Sequence, residues 1–399
     1  MKKLMSMIMA SCIALSLCAC AASPAAPAAA PAETEPGYKL GVAIPLSGMG
    51  SSAAKMELVG ITMAVNEINE AGGIGGKKLS FETVDTSGDP KEASNALRKL
   101  ASENVLAVVG PHYTGEAEVC YPIGDELGLV EIALACSMPG LSDGYQYGFR
   151  NIATEDQIAE KVLKKWVEDY DIKTVAIISD VKAAVAKSIG EDILPGMFAD
   201  LGVEVLTLQS PVTYQTGDVD FSAQITKVKA LEPDGIALGS LAGDALNIIA
   251  KAREQGLKQP FVGTAPLLEG VLDKKGGEDT QGTYAGSAFC LTPESEKAQK
   301  FIEDYRALAP TMYAEVSSDP LHYCANAYDA VYMIAEAIEK QGVSGAAADV
   351  KADRDLIRDY LAGLKDFDGV NSRGFDENHS GIKDIYVLKI EGDQWVVAE

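Results

Sequence analysis

VLAVVGPHYTGEAEVC, residues 105–120, runs from an apolar segment through Gly110-Pro111 into a short polar stretch and then a helical pattern. An apolar run of that length, bounded by Gly-Pro, reads as a buried strand. Strand, turn and helix start in that order leave backbone N–H groups unpaired beside the positive end of a helix dipole. Such a place suits an anion, or the anionic end of a larger ligand.

The same rhythm extends in both directions. KLGVAIPL (39–46) and KLSFETVD (78–85) read as strands. ELVGITMAVNEINEAGG (57–73) carries Leu58, Ile61, Val65 and Ile68 at helical spacing and stops at Gly72-Gly73. A helix over 90–103, strands over 105–109 and 129–134 and a helix over 115–127 complete four βα units, which imply a parallel, doubly wound sheet. After YGFRNIATEDQ (147–157) the rhythm restarts. TVAIISD (174–180), VEVLTLQSPV (203–212), DGIALGS (234–240) and PFVGTA (260–265) predict a second sheet of the same kind. The last third adds two long helices, one with Tyr328, Val331, Ala335 and Ile338 in a stripe, and a hairpin, DIYVLKIEGDQWVVAE, turning at 391–393. A chain of 399 residues exceeds one ordinary core. The expected fold is α/β with two doubly wound lobes joined by crossing strands. Lobe 1 comprises 38–152 plus 286–365, and lobe 2 comprises 153–285 plus 366–399.

The first 19 residues read as an export leader: Lys2 and Lys3, then an apolar run from Leu4 to Leu17 too short to span a membrane. Leu17-Cys18-Ala19-Cys20 resembles a bacterial lipobox, with Cys20 as the lipidated residue. Residues 20–37, rich in Ala and Pro, form a tether that extends roughly 50 Å at about 3.1 Å per residue. No other segment is long and apolar enough to span a bilayer. Membrane contact is therefore expected through the N-terminal lipid only, with the domain outside the cytoplasm. Removal of Lys2 and Lys3 with the leader takes the formal charge from −24 to −26. That acidity excludes a nucleic-acid partner, which demands a basic face. Cys120, Cys136, Cys290 and Cys324 remain in the folded part, with no C-x-x-C spacing, so no zinc site is expected.

Catalytic motifs fail on inspection. AGGIGGKKL (71–79) lacks the first glycine of a phosphate loop and follows a helix rather than a strand. GLSDG (140–144) matches a nucleophile elbow in letters, but Met138-Pro139 precedes it and an aromatic segment follows. Of His112, His322 and His379, only His112 lies by a candidate site, and it has no nucleophile partner. The chain reads as a non-enzyme needing no cofactor and no metal.

GPHYT (110–114) and LACSMPG (134–140) end successive strands, and open α/β sheets bind ligands at the carboxyl ends of their strands. Thr114 and Ser137 each offer a hydroxyl there, and Ala135 a backbone carbonyl suited to an ammonium. The alternative for Thr114 is a plain N-cap.

Taken together, IPLSG (44–48), NEINEAGGIGGKKL, DTSGDPKEASNALRKL, VVGPHYTG, ACSMPGL, FRNIATEDQ, DFSAQITKVKALEPDGIALG, KAREQGLKQPFVG and AYDAVYMIAEAIEK, in that order, resemble the extracytoplasmic solute-binding proteins of ABC importers, of the leucine/isoleucine/valine-binding type. The resemblance covers nearly all of 38–399. It implies a monomeric two-lobed clamp that closes on a small carboxylate ligand and delivers it to ABC permease subunits. By motif position, Tyr113 and Thr114 would hold the carboxylate through backbone N–H and hydroxyl. Ala135 C=O and Ser137 Oγ would meet an ammonium, Cys136 would line the pocket and Ser47 would border it. The chain departs from the family pattern at four places. Ala53, Ala184 and Leu241 (or Ala242) stand where aromatic residues are common, and Ala265 stands where an acid pairs the ligand amino group. Two ligand classes follow. One is a hydrophobic or aromatic amino acid, with Glu269, Asp244 or another acid replacing the missing partner. The other is an aromatic or branched acid without an amino group, with Lys182 adding positive charge. A ligand sensor or an acyl hydrolase would be the rivals in function.

Overall fold

A computed structural model describes residues 37–48, 50–268 and 272–398. The leader, Cys20, all of the tether but Gly37, and Glu269 lie outside the described residues. Strands β1 (Tyr38–Ile44), β2 (Leu79–Asp85), β3 (Ala107–Val109), β4 (Val130–Ala133) and β5 (Gly148–Arg150) form a parallel sheet in the order β2-β1-β3-β4-β5. β6 (Thr174–Asp180), β7 (Glu204–Val205), β8 (Val212–Tyr214), β9 (Gly235–Gly239), β10 (Phe261–Val262) and β11 (Tyr284–Ser287) belong to a second sheet. β12 (Ser372–Phe375) and β13 (Gly381–Lys383) make a separate antiparallel pair. β14 (Tyr386–Glu391) and β15 (Gln394–Val397) form the expected hairpin, which extends the second sheet in the order β15-β14-β11-β10-β9-β6-β7.

Each sheet is covered on both faces, as near-continuous apolar parallel strands require. On one face of the first, Leu40, Val42 and Ile44 meet Val59 and Ile61 of the Ser51–Glu70 helix and Val331, Ile334 and Ile338 of the His322–Gln341 helix. On the other face, Val108 meets Ala93, Leu97 and Leu100 of the Pro90–Ser102 helix and Cys120 of the Thr114–Leu127 helix. In the second sheet, Ile178, Ile236 and Phe261 pack on Ile225, Ile248 and Ile249, while Val175, Ile177 and Val262 pack on Val162, Trp166 and Phe198. The stripe Tyr328, Val331, Ala335 and Ile338 is buried, as its spacing requires.

Two sequence expectations need correction. Residues 203–212 are not one strand. Leu206 still donates to Val175, but Thr207 and Ser210 close a turn and the Thr207 hydroxyl takes the Ile177 N–H at 3.0 Å. Pairing with β6 resumes only after Pro211, which has no N–H to donate. The segment after 365 does not go straight to the second sheet either: Phe367, Val370 and Phe375 pack into the core of the first. Only from Tyr386 does the chain pair with the second sheet.

Both sheets have a switch point. β2 and β3 leave β1 on opposite sides, and β7/β8 and β9 leave β6 on opposite sides. Crevices open at the carboxyl ends of strands at such points. The chain passes between the sheets after β5, after β11 and again before β14.

Candidate functional site

The loops after β1, β3 and β4 form one group. Gly110 holds φ +120° because a Cβ there would lie 2.2 Å from the Ala43 carbonyl oxygen, so this turn closes only with glycine. The helix then runs Thr114–Leu127 with Tyr113 as its N-cap, which corrects the alternative of Thr114 as the cap. The Tyr113 N–H donates to Glu116 Oε2 at 2.9 Å, and the Thr86 hydroxyl donates to Glu116 Oε1. Glu116 and Thr86 are fully buried. The chain's own carboxylate therefore occupies the Tyr113 N–H expected to receive a ligand. What remains for an incoming anion is the Thr114 hydroxyl and the first-turn N–H groups of Thr114 and Gly115.

Tyr113 contributes in another way. Its ring lies over Gly50, the residue before the Ser51–Glu70 helix, where a Cβ would come within 2.0 Å of its hydroxyl. An aromatic ring thus stands one turn from half-buried Ala53, where the sequence suggested that one had been lost. Below it, His112 Nδ1 lies 2.7 Å from Glu57 Oε1 in full burial, and burial raises the Glu57 carboxyl above its ordinary value while His112 opposes the shift. His112 serves as packing and pairing under the loop, its ring 4.5 Å from that of Tyr113.

The loop from Leu134 to Met138 is held at both ends. The Leu134 N–H donates to Pro111 O at 3.1 Å, and Asn326 Nδ2 donates to Leu134 O at 2.8 Å. The buried Arg150 guanidinium donates to Met138 O, to Cys136 O at 3.5 Å and to Ser380 Oγ at 2.8 Å. Cys136 is buried with its thiol donating to His112 O at 3.1 Å, so it supports the loop from below. Ala135 and Ser137 are half-buried, and Ser137 O accepts the Glu155 N–H at 3.4 Å. Ser47 is exposed after β1, its hydroxyl 3.0 Å from that of Ser87. Ser47, Thr114, Ala135 and Ser137 therefore share one end of the first sheet. Ser142, the elbow serine by letters, is buried in a turn with its hydroxyl donating to Asn378 O at 2.6 Å.

In the second sheet, Ala184 opens a short helix after β6 and is exposed, as is Lys182. Leu241 caps the Ala242–Glu254 helix after β9. Ala265 begins a single 3₁₀ turn after β10 and packs against Ala153, Ile158 and Ala288, residues on or beside the first two crossings. Ser137 and Ala265, one from each sheet, thus border the same segment, 153–158.

Lys383 carried no signal in the sequence. Its ammonium donates to Asn326 Oδ1 at 2.9 Å, Asn371 Oδ1 at 3.1 Å and Ser372 Oγ at 2.7 Å, and burial pushes its pKa down to about 7. Ser372 Oγ in turn donates to Asn151 Oδ1 at 3.0 Å, and Asn151 Nδ2 donates to Asn326 O at 2.8 Å. One polar network therefore ties the first crossing to the third, one residue from the site loop. Among the described residues no group of His, Cys, Asp or Glu is placed to hold a metal, and the four thiols are buried and free.

Residues 37–394 match the model of a periplasmic binding protein family. The chain belongs to that family. As a periplasmic binding protein it is a solute-binding component of transport and not an enzyme. It is 26% identical over 343 residues to a leucine-, isoleucine-, valine-, threonine- and alanine-binding protein of Pseudomonas aeruginosa, covering 85% of this chain and 86% of that protein. A Leu/Ile/Val-binding protein of Rhizobium johnstonii is 27% identical, with 80% and 83% covered. The branched-chain amino acid transporter substrate-binding protein of Streptococcus pneumoniae, solved with isoleucine, superposes at a TM-score of 0.74 and 28% identity, covering 91% of this chain and 99% of that one. This periplasmic binding protein shares the fold of that solved structure.

Proposed function

We propose that this protein captures a small ligand with a carboxylate and an apolar body, a hydrophobic or aromatic amino acid, between its two sheets and delivers it to an ABC permease. The observation that carries this reading is the placement of Thr114, Ala135 and Ser137 on two adjacent strand-end loops that the chain's own hydrogen bonds hold in place. Thr114 supplies hydroxyl and first-turn N–H groups to the carboxylate. Ala135 C=O and Ser137 Oγ meet the other polar end. Ser47 and Tyr113 border this side, and Ala53, Ala184 and Leu241 leave space for an apolar body, with Cys136 and Ala265 packed behind the loops rather than lining that space. Met138 and Val219, exposed on strand-end loops of the two sheets, and Val185, exposed in the short helix after β6, favour such a body. The two sheets and their helices act as lobes. A ligand bridging them binds the closed arrangement better and so populates it, and closure makes the surface a permease reads. Cys20 anchors the monomer by lipid to the outer face of a bacterial membrane, with 20–37 as tether.

A ligand without an amino group is the second reading, and the apolar packing of Ala265 favours it. The test is a thermal-shift and calorimetric screen of residues 38–399 against amino acids and their deaminated counterparts, with Thr114→Ala and Ser137→Ala beside the unaltered protein. A true ligand raises the Tm by mass action. Each alanine should weaken it by about 1–3 kcal/mol without unfolding the domain, and unchanged affinity in both would sink the assignment.

A further inference from the structure

Three strand-end loops meet at the switch point of the second sheet. Asp180, at the end of β6, ties two of them together. Its Oδ1 accepts the N–H of Lys182 at 2.8 Å, of Ala183 at 3.3 Å and of Thr216 at 3.1 Å, and its Oδ2 takes the Thr216 hydroxyl. Asp218 Oδ2 accepts the Gln215 N–H at 3.0 Å. The third loop, after β9, is tied to β8 by the Tyr214 and Ser240 hydroxyls, 2.5 Å apart, and leads to Asp244 in the first turn of the Ala242–Glu254 helix.

Asp244 differs from its neighbours. Its residue is only 9% exposed, and its Oδ2 is buried without a hydrogen-bond partner. Among the described residues no cation forms an ion pair with Asp180, Asp218 or Asp244. Burial raises the Asp244 carboxyl above its ordinary value, the Gly217 N–H opposes the shift, and Asp180 and Asp218 add to it. An acid in the first turn is ordinary for a helix, but a carboxylate oxygen buried without a partner is costly and calls for one. Asp180 and Asp218 add negative charge beside an acceptor that lacks a donor, and together they call for a positively charged partner at the Asp244 carboxylate.

We propose that Asp244 is the acceptor of the ligand's ammonium, in place of the acid missing at Ala265, so that this protein selects ligands bearing a primary amine over deaminated carboxylates. This inference rests on the proposed capture of a carboxylate ligand at the strand ends. It moves amine recognition one strand sideways, from the loop after β10 to the loop after β9.

The test compares leucine or phenylalanine with 4-methylpentanoate or 3-phenylpropanoate by calorimetry on the 38–399 protein, then on Asp244→Asn and Thr114→Ala. Asparagine keeps the size and one carbonyl oxygen of the side chain and removes the charge. The amino acid is expected to bind the unaltered protein at least about tenfold more tightly than its deaminated analogue, and Asp244→Asn to erase most of that ratio. Thr114→Ala should weaken both ligands together and leave the ratio standing. An amino acid bound equally well by Asp244→Asn and the unaltered protein overturns the role of Asp244, while the carboxylate reading survives in the Thr114→Ala result. A deaminated acid bound as tightly as the amino acid by the unaltered protein overturns the inference without any variant. No binding of either class overturns the underlying reading as well.

Discussion

At the carboxyl end of the first sheet, the polar groups of the site loops are engaged within the chain. Glu116 takes the Tyr113 N–H and the Thr86 hydroxyl, Arg150 holds the carbonyls of Cys136 and Met138, and Asn326 holds that of Leu134. At the carboxyl end of the second sheet, the matching positions are Ala184, Leu241 and Ala265, and both Asp244 Oδ2 and the Thr264 hydroxyl are buried without a partner. The first end is a preorganised socket in which few side chains are at liberty to vary. The second is tied by Asp180 across the loops after β6 and β8, but Ala184 is exposed and Leu241 half-buried, so exchange at these two positions disturbs little else. Preorganisation lowers the ordering cost of binding, so the first end suits a feature common to many ligands and the second suits discrimination between them.

The largest effect should come from removing the clamp of the first end. Arg150→Met leaves buried carbonyls of the 136–138 segment and the Ser380 hydroxyl without their donor, and is expected to cost about 3 kcal/mol in urea unfolding and to abolish ligand binding. A stable variant that binds normally would mean that the socket does not depend on its wiring.

Glu116→Gln comes next. It keeps one acceptor but loses the charge that strengthens two hydrogen bonds, and about 1–2 kcal/mol of stability should go with it. By the same comparison, Ala184→Ser at the second end should alter stability by less than about 0.5 kcal/mol, because the residue is exposed. Equal losses at the two positions would erase the contrast.

Between these ends, Lys383 sharpens the comparison through pH. Burial lowers its pKa from 10.5 to about 7 in the folded protein. Between those values the unfolded chain keeps a proton that the folded chain has shed. The unfolded state then binds more protons, so this group's contribution to stability rises with pH from about 7 toward 10.5 and is flat below. Its slope is at most about 1.4 kcal/mol per pH unit. Lys383→Met should flatten that rise when unfolding is followed from pH 7 to 9.5, and an unchanged slope would count against the burial of the amine between the crossings.

Read from the sequence alone, the strand-turn-helix units were plain, because strand and helix periodicity, Gly-Pro and Gly-Gly stops and the 391–393 turn are local signals. β6 falls on its expected residues, Thr174–Asp180, and the helix after Gly110 starts within a residue of its expected place. The strand-end placement of Thr114 and Ser137 followed from the same signals. Glu116 stood three residues past Tyr113, a spacing that marks a helix start, so its capture of the Tyr113 N–H was legible in principle. Tertiary structure alone decided the rest. Arg150 meets Ser380 across 230 residues, Asn326 meets Leu134 across 192, and Lys383 meets Asn326 across 57. It also sent Phe367, Val370 and Phe375 to the first core, laid Tyr113 over Gly50, and broke 203–212 at Thr207. Local pattern fixes which backbone groups a segment satisfies for itself. The partners of a buried side chain are fixed only when distant segments close around it, since burial makes an unmet polar group costly and the chain must then supply its partner from wherever the fold brings one.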